Sequence, residues 1–580
     1  MILLKRSLVL SLFAAAGASY GVLRGVESAS ANENCVVSEP PHVQAQTLWD
    51  GKVVLTTADS KVSTVEGCCA VEGGGEDDEE AELRFKKVPI GSMPQLTQTQ
   101  ALQVLDSAKE AWNGGSGTWT SRMSLAQRIE AIETLVSELK RKREEIVHVL
   151  MWEIGKNVKD AQSEFDRTIS FIEQTIQELR TNPEYNASWK HIGSTHAFTR
   201  RAAVGIILCL GPFNYPLNET YATLIPALLM GNVVIMKIPT VGGLAHLLSM
   251  EAFAKALPPG VINFISGSGR ETMPPLMASG SIDGLAFIGG SNAADDLIGK
   301  HPTPHRLKLF LQLEAKNMGI FLPNLFEQGN KDQLDVALNE AVTGSLSFNG
   351  QRCTALKLLF VPKSNAESVA VSLAKRVESL SVGLPWAEEN GEHSKITPLP
   401  NKKRVDYMES LIADAISKGA QIMNAKGGSI IGGPESTLMV PAVLYPVTPD
   451  MMVYHEEQFG PVVPIAPYDD LETVIAYGQN GKYGQQCSIF TAGGDEATVS
   501  IVDRFSSVFG KININSQCGR SPDTLVFSGR RSSAMGVMSV SEALREFSVP
   551  TVVAYKDQIG DSNDMIAKEI QSSSQFMQSL

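Results

Sequence analysis

The sequence predicts an α/β protein built from two doubly wound domains of similar size. Between residues 205 and 300, short apolar runs alternate with helical stretches, the pattern of a parallel sheet with crossover helices. The turns after these runs carry polar residues or glycine, among them Asn214, Lys237, Gly267 and Ser291. Such sheets bind ligands beyond the carboxyl ends of their strands. The same alternation resumes after Glu314 and continues to about residue 491.

Composition limits the function classes. The chain has 580 residues, 43% of them hydrophobic, and can bury a large core without disulfides. A formal charge of −13 and the lack of a basic patch with interleaved aromatics exclude a nucleic-acid partner. The seven cysteines form no CxxC pair and no zinc pattern, so no metal site is expected. Sparse cysteine usage fits a reducing compartment. The N-terminus points elsewhere: Lys5-Arg6, an uncharged stretch from Ser7 to Leu23 and Ala29-Ser30-Ala31 read as a secretory signal. A short membrane anchor with the body in the cytosol, or the start of an organelle import sequence, are the alternatives. No second long apolar segment follows, so any membrane contact would run through this segment alone.

In order, residues 1–31 are read as the targeting segment and 32–92 as an irregular, acidic region. Within it, Asp50-Gly51 marks a hairpin turn, and Glu76-Asp77-Asp78-Glu79-Glu80 follow Gly73-Gly74-Gly75. A first domain is expected over 93–315. It opens with helices over Gln98–Trp112, Ser124–Leu150 and Asp160–Leu179. A hairpin from Trp189 to Val204 follows. Strands are then expected at 205–210, 232–237, 261–265 and 284–288, with helices between. No G-x-G-x-x-G follows the first strand, so the common dinucleotide fingerprint is absent. The second domain, 316–528, is expected to hold helix 332–347, a strand after Cys353, a helix through Leu380, an extended stretch from Gln421 to Ile431, helix Leu471–Tyr477 and strand 488–491. Residues 529–557 and the tail 558–580 complete the chain. Asn186-Ala187-Ser188 and Asn218-Glu219-Thr220 match glycosylation sequons.

The chemistry centres on Asn349-Gly350-Gln351-Arg352-Cys353. Gly350 suits a sharp turn, and Arg352 is expected to lower the thiol pKa of Cys353 and favour the thiolate. A thiolate on a turn before a strand is a candidate nucleophile. A small buried core cysteine is the alternative.

Five motifs occur in one order: Gly211-Pro212-Phe213-Asn214-Tyr215-Pro216, Val234-Ile235-Met236-Lys237, Phe287-Ile288-Gly289-Gly290-Ser291, the Cys353 stretch, and Glu456-Glu457-Gln458-Phe459-Gly460-Pro461. Together they resemble the aldehyde dehydrogenase superfamily over about residues 95 to 557. The resemblance implies a cofactor domain, a catalytic domain and a β oligomerisation flap, the flap formed by hairpin 189–203 and a strand from Val549 to Tyr555. It also implies a homodimer or homotetramer. Cys353 resembles the nucleophile, and the Asn214 amide with the Cys353 N–H resembles the oxyanion hole. Pro212, Phe213, Lys237, Thr240, Gly267, Gly290, Ser291, Glu457 and Phe459 fall at cofactor-contact positions. Thr240 stands where NAD-preferring relatives place a glutamate, which implies NADP, with NAD possible. Arg167, Tyr215, Arg352 and Arg520 are similar to the substrate-phosphate positions of the non-phosphorylating glyceraldehyde-3-phosphate dehydrogenases, the closest look within the superfamily. Three readings follow: oxidation of glyceraldehyde 3-phosphate, oxidation of another aldehyde such as a lipid aldehyde, or, from a different class, a non-catalytic or structural member.

One position departs from the pattern. Where the family carries its general base, this chain has Gln312, and Glu314 lies two residues on. Glutamine cannot act as a base. In an extended segment, 312 and 314 share a face, so Glu314 is the candidate replacement.

Overall fold

The computed structural model describes residues 39–56, 61–71, 84–185, 189–389, 391–494, 496–556 and 561–578. The segment 1–31, the acidic cluster, the glycine triplet and the Asn186 sequon lie outside these residues.

Two sheets organise the chain. The first runs in the order Ala534–Met535, Lys308–Gln312, Gly284–Ile288, Ile206–Leu210, Val233–Lys237, Ile262–Ile265. Its contiguous strands are parallel, and the short Ala534–Met535 edge pairs antiparallel. The second has seven strands: Gln421–Ile422, Ala442–Tyr445, Val462–Tyr468, Leu356–Pro362, Asn317–Phe321, Gln486–Phe490 and Lys511–Ile514. Buried central strands such as Val233–Lys237 and Leu356–Pro362 explain why these segments read as unbroken apolar runs. A third, three-stranded sheet pairs Ser548–Lys556 with Thr195–Ala203 and Lys190–Ile192, as the flap expectation required.

The first helix runs Gln98–Trp112 behind a capping box of Thr97 and Gln100. The segment expected as one helix over 124–150 is two, Leu125–Arg141 and Arg143–Ile154, broken at Lys142. The first is amphipathic and faces solvent. The second is buried on nearly every side from Ile146 onward, so its axis follows packing instead of continuing the first. The stretch 421–431 is not one extended segment: Gln421–Ile422 and Ile430–Ile431 pair in different sheets. Helix Gly269–Ala278 carries Pro274 and Pro275 in its second half, an unusual place for proline in a helix.

The region read as irregular holds two antiparallel hairpins. Gln46–Trp49 and Lys52–Leu55 turn at Asp50-Gly51, as expected. Val62–Val71 pairs with Arg84–Pro94, which the sequence did not suggest. Gly67 and Gly91 each mark a close approach: a Cβ on Gly67 would lie 2.8 Å from the Trp152 carbonyl, and one on Gly91 2.6 Å from the Val43 carbonyl. This hairpin packs on helix Arg143–Ile154 and belongs to the same core as Trp152 and Ile90. Helix Asp561–Ser573 occupies the tail. Among the described residues, no helix is long and apolar enough to cross a membrane.

Candidate active site

A cavity of about 900 Å³ lies beyond the carboxyl ends of strands from both sheets. Cys353 is placed there by strained backbone. After helix Lys331–Leu346, the residues Phe348, Asn349 and Gly350 adopt left-handed φ values of 49°, 56° and 69°. Two of these are not glycine, so the turn needs external support. Asn349 supplies it: its Oδ1 accepts the Thr397 N–H at 2.9 Å and its Nδ2 donates to Thr397 Oγ1 at 3.1 Å. Lys357 Nζ donates to the Gly350 carbonyl at 2.8 Å. A side chain at 350 would meet the Gly460 and Ser345 carbonyls at 2.6 and 2.7 Å. Asn317 Nδ2 donates to the Cys353 carbonyl at 2.7 Å.

The expected lowering of the thiol pKa is reversed. Burial pushes Cys353 up to about 12, and the charges of Glu219 and Glu457 add to it; Lys357 and Arg352 pull the other way without prevailing. The neighbouring arginine is real, but its guanidinium is engaged elsewhere. It donates to the Cys518 carbonyl at 3.0 Å and to Thr354 Oγ1 at 3.3 Å.

Asn214 lies buried in the turn after strand Ile206–Leu210. Its Nδ2 donates to the Gln351 carbonyl at 2.7 Å, which ties the two turns together. An amide carries two such hydrogens, so one remains for an oxyanion. Below it, Glu164 Oε1 accepts the Leu217 N–H at 3.0 Å, and Lys156 pairs with Glu164.

Arg167, Tyr215, Arg352 and Arg520 all line the cavity, as the resemblance implied. Two of the arginines carry carboxylate partners that the sequence did not reveal. Arg167 is bidentate on Asp523 at 3.0 and 2.7 Å, and Arg520 pairs with Glu219 at 2.8 Å and Asp523 at 3.1 Å. Burial works against the Asp523 charge, yet the arginines hold its carboxyl below the usual range. Arg520 Nη2 is buried with no hydrogen-bond partner among the described residues.

Of the cofactor positions, Pro212, Phe213, Gly290, Ser291, Glu457 and Phe459 line the same cavity. The rings of Phe213 and Phe459 meet edge to face at 5.8 Å. Lys237 and Gly267 lie at the ends of adjacent strands and do not line it, and Thr240 is exposed beyond them. Lys237 is buried with the Ile238 carbonyl as acceptor at 2.5 Å and no ion pair among the described residues; burial lowers its pKa to about 8. A buried cation without a counter-charge, at the ligand end of a parallel sheet, suits an anionic group of a dinucleotide.

The model of the aldehyde dehydrogenase family matches residues 74–553. The chain belongs to the aldehyde dehydrogenase family. It is 33% identical over 485 residues to the NADP-dependent glyceraldehyde-3-phosphate dehydrogenase of Streptococcus equinus, covering 81% of this chain and 93% of that one. The corresponding enzyme of Pisum sativum is 29% identical over 455 residues, covering 77% and 86%. The crystal structure of NADP-dependent glyceraldehyde-3-phosphate dehydrogenase from Bacillus halodurans C-125, complexed with NADP, superposes with a TM-score of 0.75 at 27% identity, covering 88% of this chain and 99% of that chain.

In this aldehyde dehydrogenase the segment 312–316 is not one extended strand. The strand ends at Gln312, whose side chain is buried in the cavity wall with both amide atoms unpartnered among the described residues. Glu314 also faces the cavity, but its Oε2 accepts the Ser291 N–H at 2.9 Å. Glu457 is another carboxylate lining the cavity, beside Glu456. Its Oε1 accepts the Ala315 N–H at 3.3 Å and lies 4.0 Å from Lys357 Nζ. Burial raises its pKa above the ordinary carboxylate range, against the attraction of Lys357. Sequence reading missed Lys156, Glu164, Glu219, Lys357 and Asp523 as parts of this site. Charged residues at isolated positions in helices, strands and loops carry no periodic signal; only burial marks them.

Proposed function

We propose that this aldehyde dehydrogenase oxidises glyceraldehyde 3-phosphate to 3-phosphoglycerate. The observation that carries the reading is the convergence of Cys353, Asn214, Arg352 and the unpartnered Arg520 Nη2 in one cavity. Guanidinium groups bind phosphate through fork-shaped donor pairs. Arg352 has only neutral acceptors, at Thr354, Gln517 and Cys518, and no carboxylate partner among the described residues, while Arg167 and Arg520 are oriented by Asp523 and Glu219. The named activities of the Streptococcus and Pisum relatives support the same substrate.

Cys353 Sγ adds to the aldehyde carbon after losing its proton, and the oxyanion takes the free Asn214 N–H and the Cys353 backbone N–H. Donors of this kind are worth ~3 kcal/mol each. When bound, held by Gly290, Ser291 and Phe459 at the cavity and Lys237 behind it, NADP would supply the hydride acceptor; loss of hydride from the adduct leaves a thioester on Cys353. Water then cleaves the thioester, releasing the carboxylate and restoring the thiol. Because Gln312 cannot take the water proton and Glu314 is engaged at Ser291, we assign that proton to Glu457; Glu314 is the second candidate.

The deciding experiment is a steady-state assay with glyceraldehyde 3-phosphate, an unphosphorylated short aldehyde and a long-chain aldehyde, each with NADP and NAD. Preference for the phosphorylated substrate by at least tenfold in kcat/KM is expected, and a preference for the long-chain aldehyde rejects the phosphate reading. A non-catalytic role is the second reading, favoured by Gln312 at the strand end. It predicts dinucleotide binding without turnover on any of the three.

Two further proposals concern context. The open edge of the flap strand Ser548–Lys556 joins the chain into a homodimer or homotetramer, which light scattering tests. Residues 1–31 direct the chain to the secretory route, to an organelle or onto a membrane, which microscopy of the tagged full chain distinguishes.

A further inference from the structure

A dinucleotide on a doubly wound sheet places its phosphates at a helix N-terminus, where backbone N–H groups are free. Here the strand Gly284–Ile288 leads through Gly289-Gly290 into helix Ser291–Lys300, and Gly290 and Ser291 face the cavity. That N-terminus is already occupied by an anion of the chain itself. Glu314 Oε2 accepts the Ser291 N–H at 2.9 Å, and Glu314 Oε1 is the atom a Cβ on Gly290 would meet, at 3.2 Å. Next to it, Gln312 is 4% exposed and lines the same cavity with both side-chain amide atoms unpartnered among the described residues. A buried amide in that state is waiting for a donor and an acceptor from a ligand. The segment bearing both residues is held from behind: Leu313 N–H donates to the Ser533 carbonyl, and Ser533 Oγ donates to the Glu314 carbonyl, each at 2.8 Å. With the backbone fixed there, release of Ser291 falls to rotation of the Glu314 side chain.

We propose that Glu314 is a built-in competitor for the dinucleotide phosphates: its carboxylate must leave Ser291 before the cofactor seats, so residue 314 sets cofactor affinity. The inference rests on the dinucleotide reading above. Two anions cannot share one helix N-terminus without strong repulsion in a half-buried cleft.

The test uses calorimetric titration of the full chain with NADP and with adenosine 2′-monophosphate, which lacks the diphosphate. Wild type, Glu314→Gln and Glu314→Ala are compared. Glutamine retains an oxygen to cap Ser291 and so guards against a folding defect. The NADP Kd is expected to fall about tenfold in both variants, with adenosine 2′-monophosphate unchanged. Equal NADP Kd values in all three proteins, or weaker binding in the variants, overturn the inference while leaving the cofactor reading intact. Equal tightening of both ligands also overturns it, since the effect would then be general charge. Binding of NADP by none of the three rejects the cofactor reading itself, and with it the role of Glu314.

Discussion

The Lys156 ammonium lies 3.5 Å from the centroid of the Tyr215 ring, in contact with Glu164 and shut off from solvent. Burial lowers the lysine pKa and raises that of Glu164, and their mutual attraction opposes both shifts. Glu164 in turn accepts the Leu217 and Asn218 N–H groups, so this pair anchors the turn that carries Asn214 and Tyr215.

Lys156→Met should therefore destabilise the protein by about 3–5 kcal/mol, the cost of an unpaired buried charge. The double variant Lys156→Met, Glu164→Gln should recover most of that loss. Thermal unfolding of the three proteins checks this; a double variant as unstable as the single one contradicts it.

Cys353→Ser should abolish dehydrogenase activity, because a buried serine hydroxyl stays protonated. In the cofactor-free wild type, the thiol pushed up to about 12 predicts alkylation by iodoacetamide that keeps rising between pH 7 and pH 10. A plateau below pH 8 would show a thiolate already present.

Glu457→Gln should stall the cycle after hydride transfer. One equivalent of NADPH would appear in a burst, followed by turnover slower by about 10²–10⁴. If Glu314→Gln gives the burst and Glu457→Gln does not, the proton belongs to Glu314.

On cofactor choice, Thr240 leaves the exposed rim beyond Lys237 without a carboxylate. Thr240→Glu should lower kcat/KM for NADP by at least about tenfold and spare NAD, through repulsion of the 2′-phosphate. An unchanged ratio of the two removes Thr240 from cofactor discrimination.

Glu153 is buried where its oxygens accept the Gly243 and Leu244 N–H groups, and burial raises its pKa to about 7. A raised folded-state pKa means the folded protein binds the proton more tightly than the unfolded chain. This contribution is fully present below about pH 4.5 and is lost as pH rises through 7. Relative to Glu153→Gln, wild type should gain up to about 3 kcal/mol between pH 8 and pH 5. Parallel melting temperatures across that range would refute it.

The two doubly wound sheets were legible in the sequence alone, and the family resemblance pointed to the pairing of hairpin 189–203 with the final strand and to Cys353, Asn214, Arg167, Arg352 and Arg520, which all line the cavity. Strand and helix periodicity, turn residues and ordered motifs are local properties of the chain. Residues 32–92 read as irregular, yet Val62–Val71 pairs with Arg84–Pro94, where Gly67 and Gly91 allow close backbone contact that no local pattern encodes. Tertiary structure alone decided that burial overrides Arg352 at the Cys353 thiol, that Asp523 and Glu219 orient the cavity arginines, and that Glu314 rests on Ser291. Each depends on desolvation or on a partner far away in the chain, such as Arg167 meeting Asp523, 356 residues on. No local pattern encodes such a distance, and only the packed fold sets the dielectric in which the charges act.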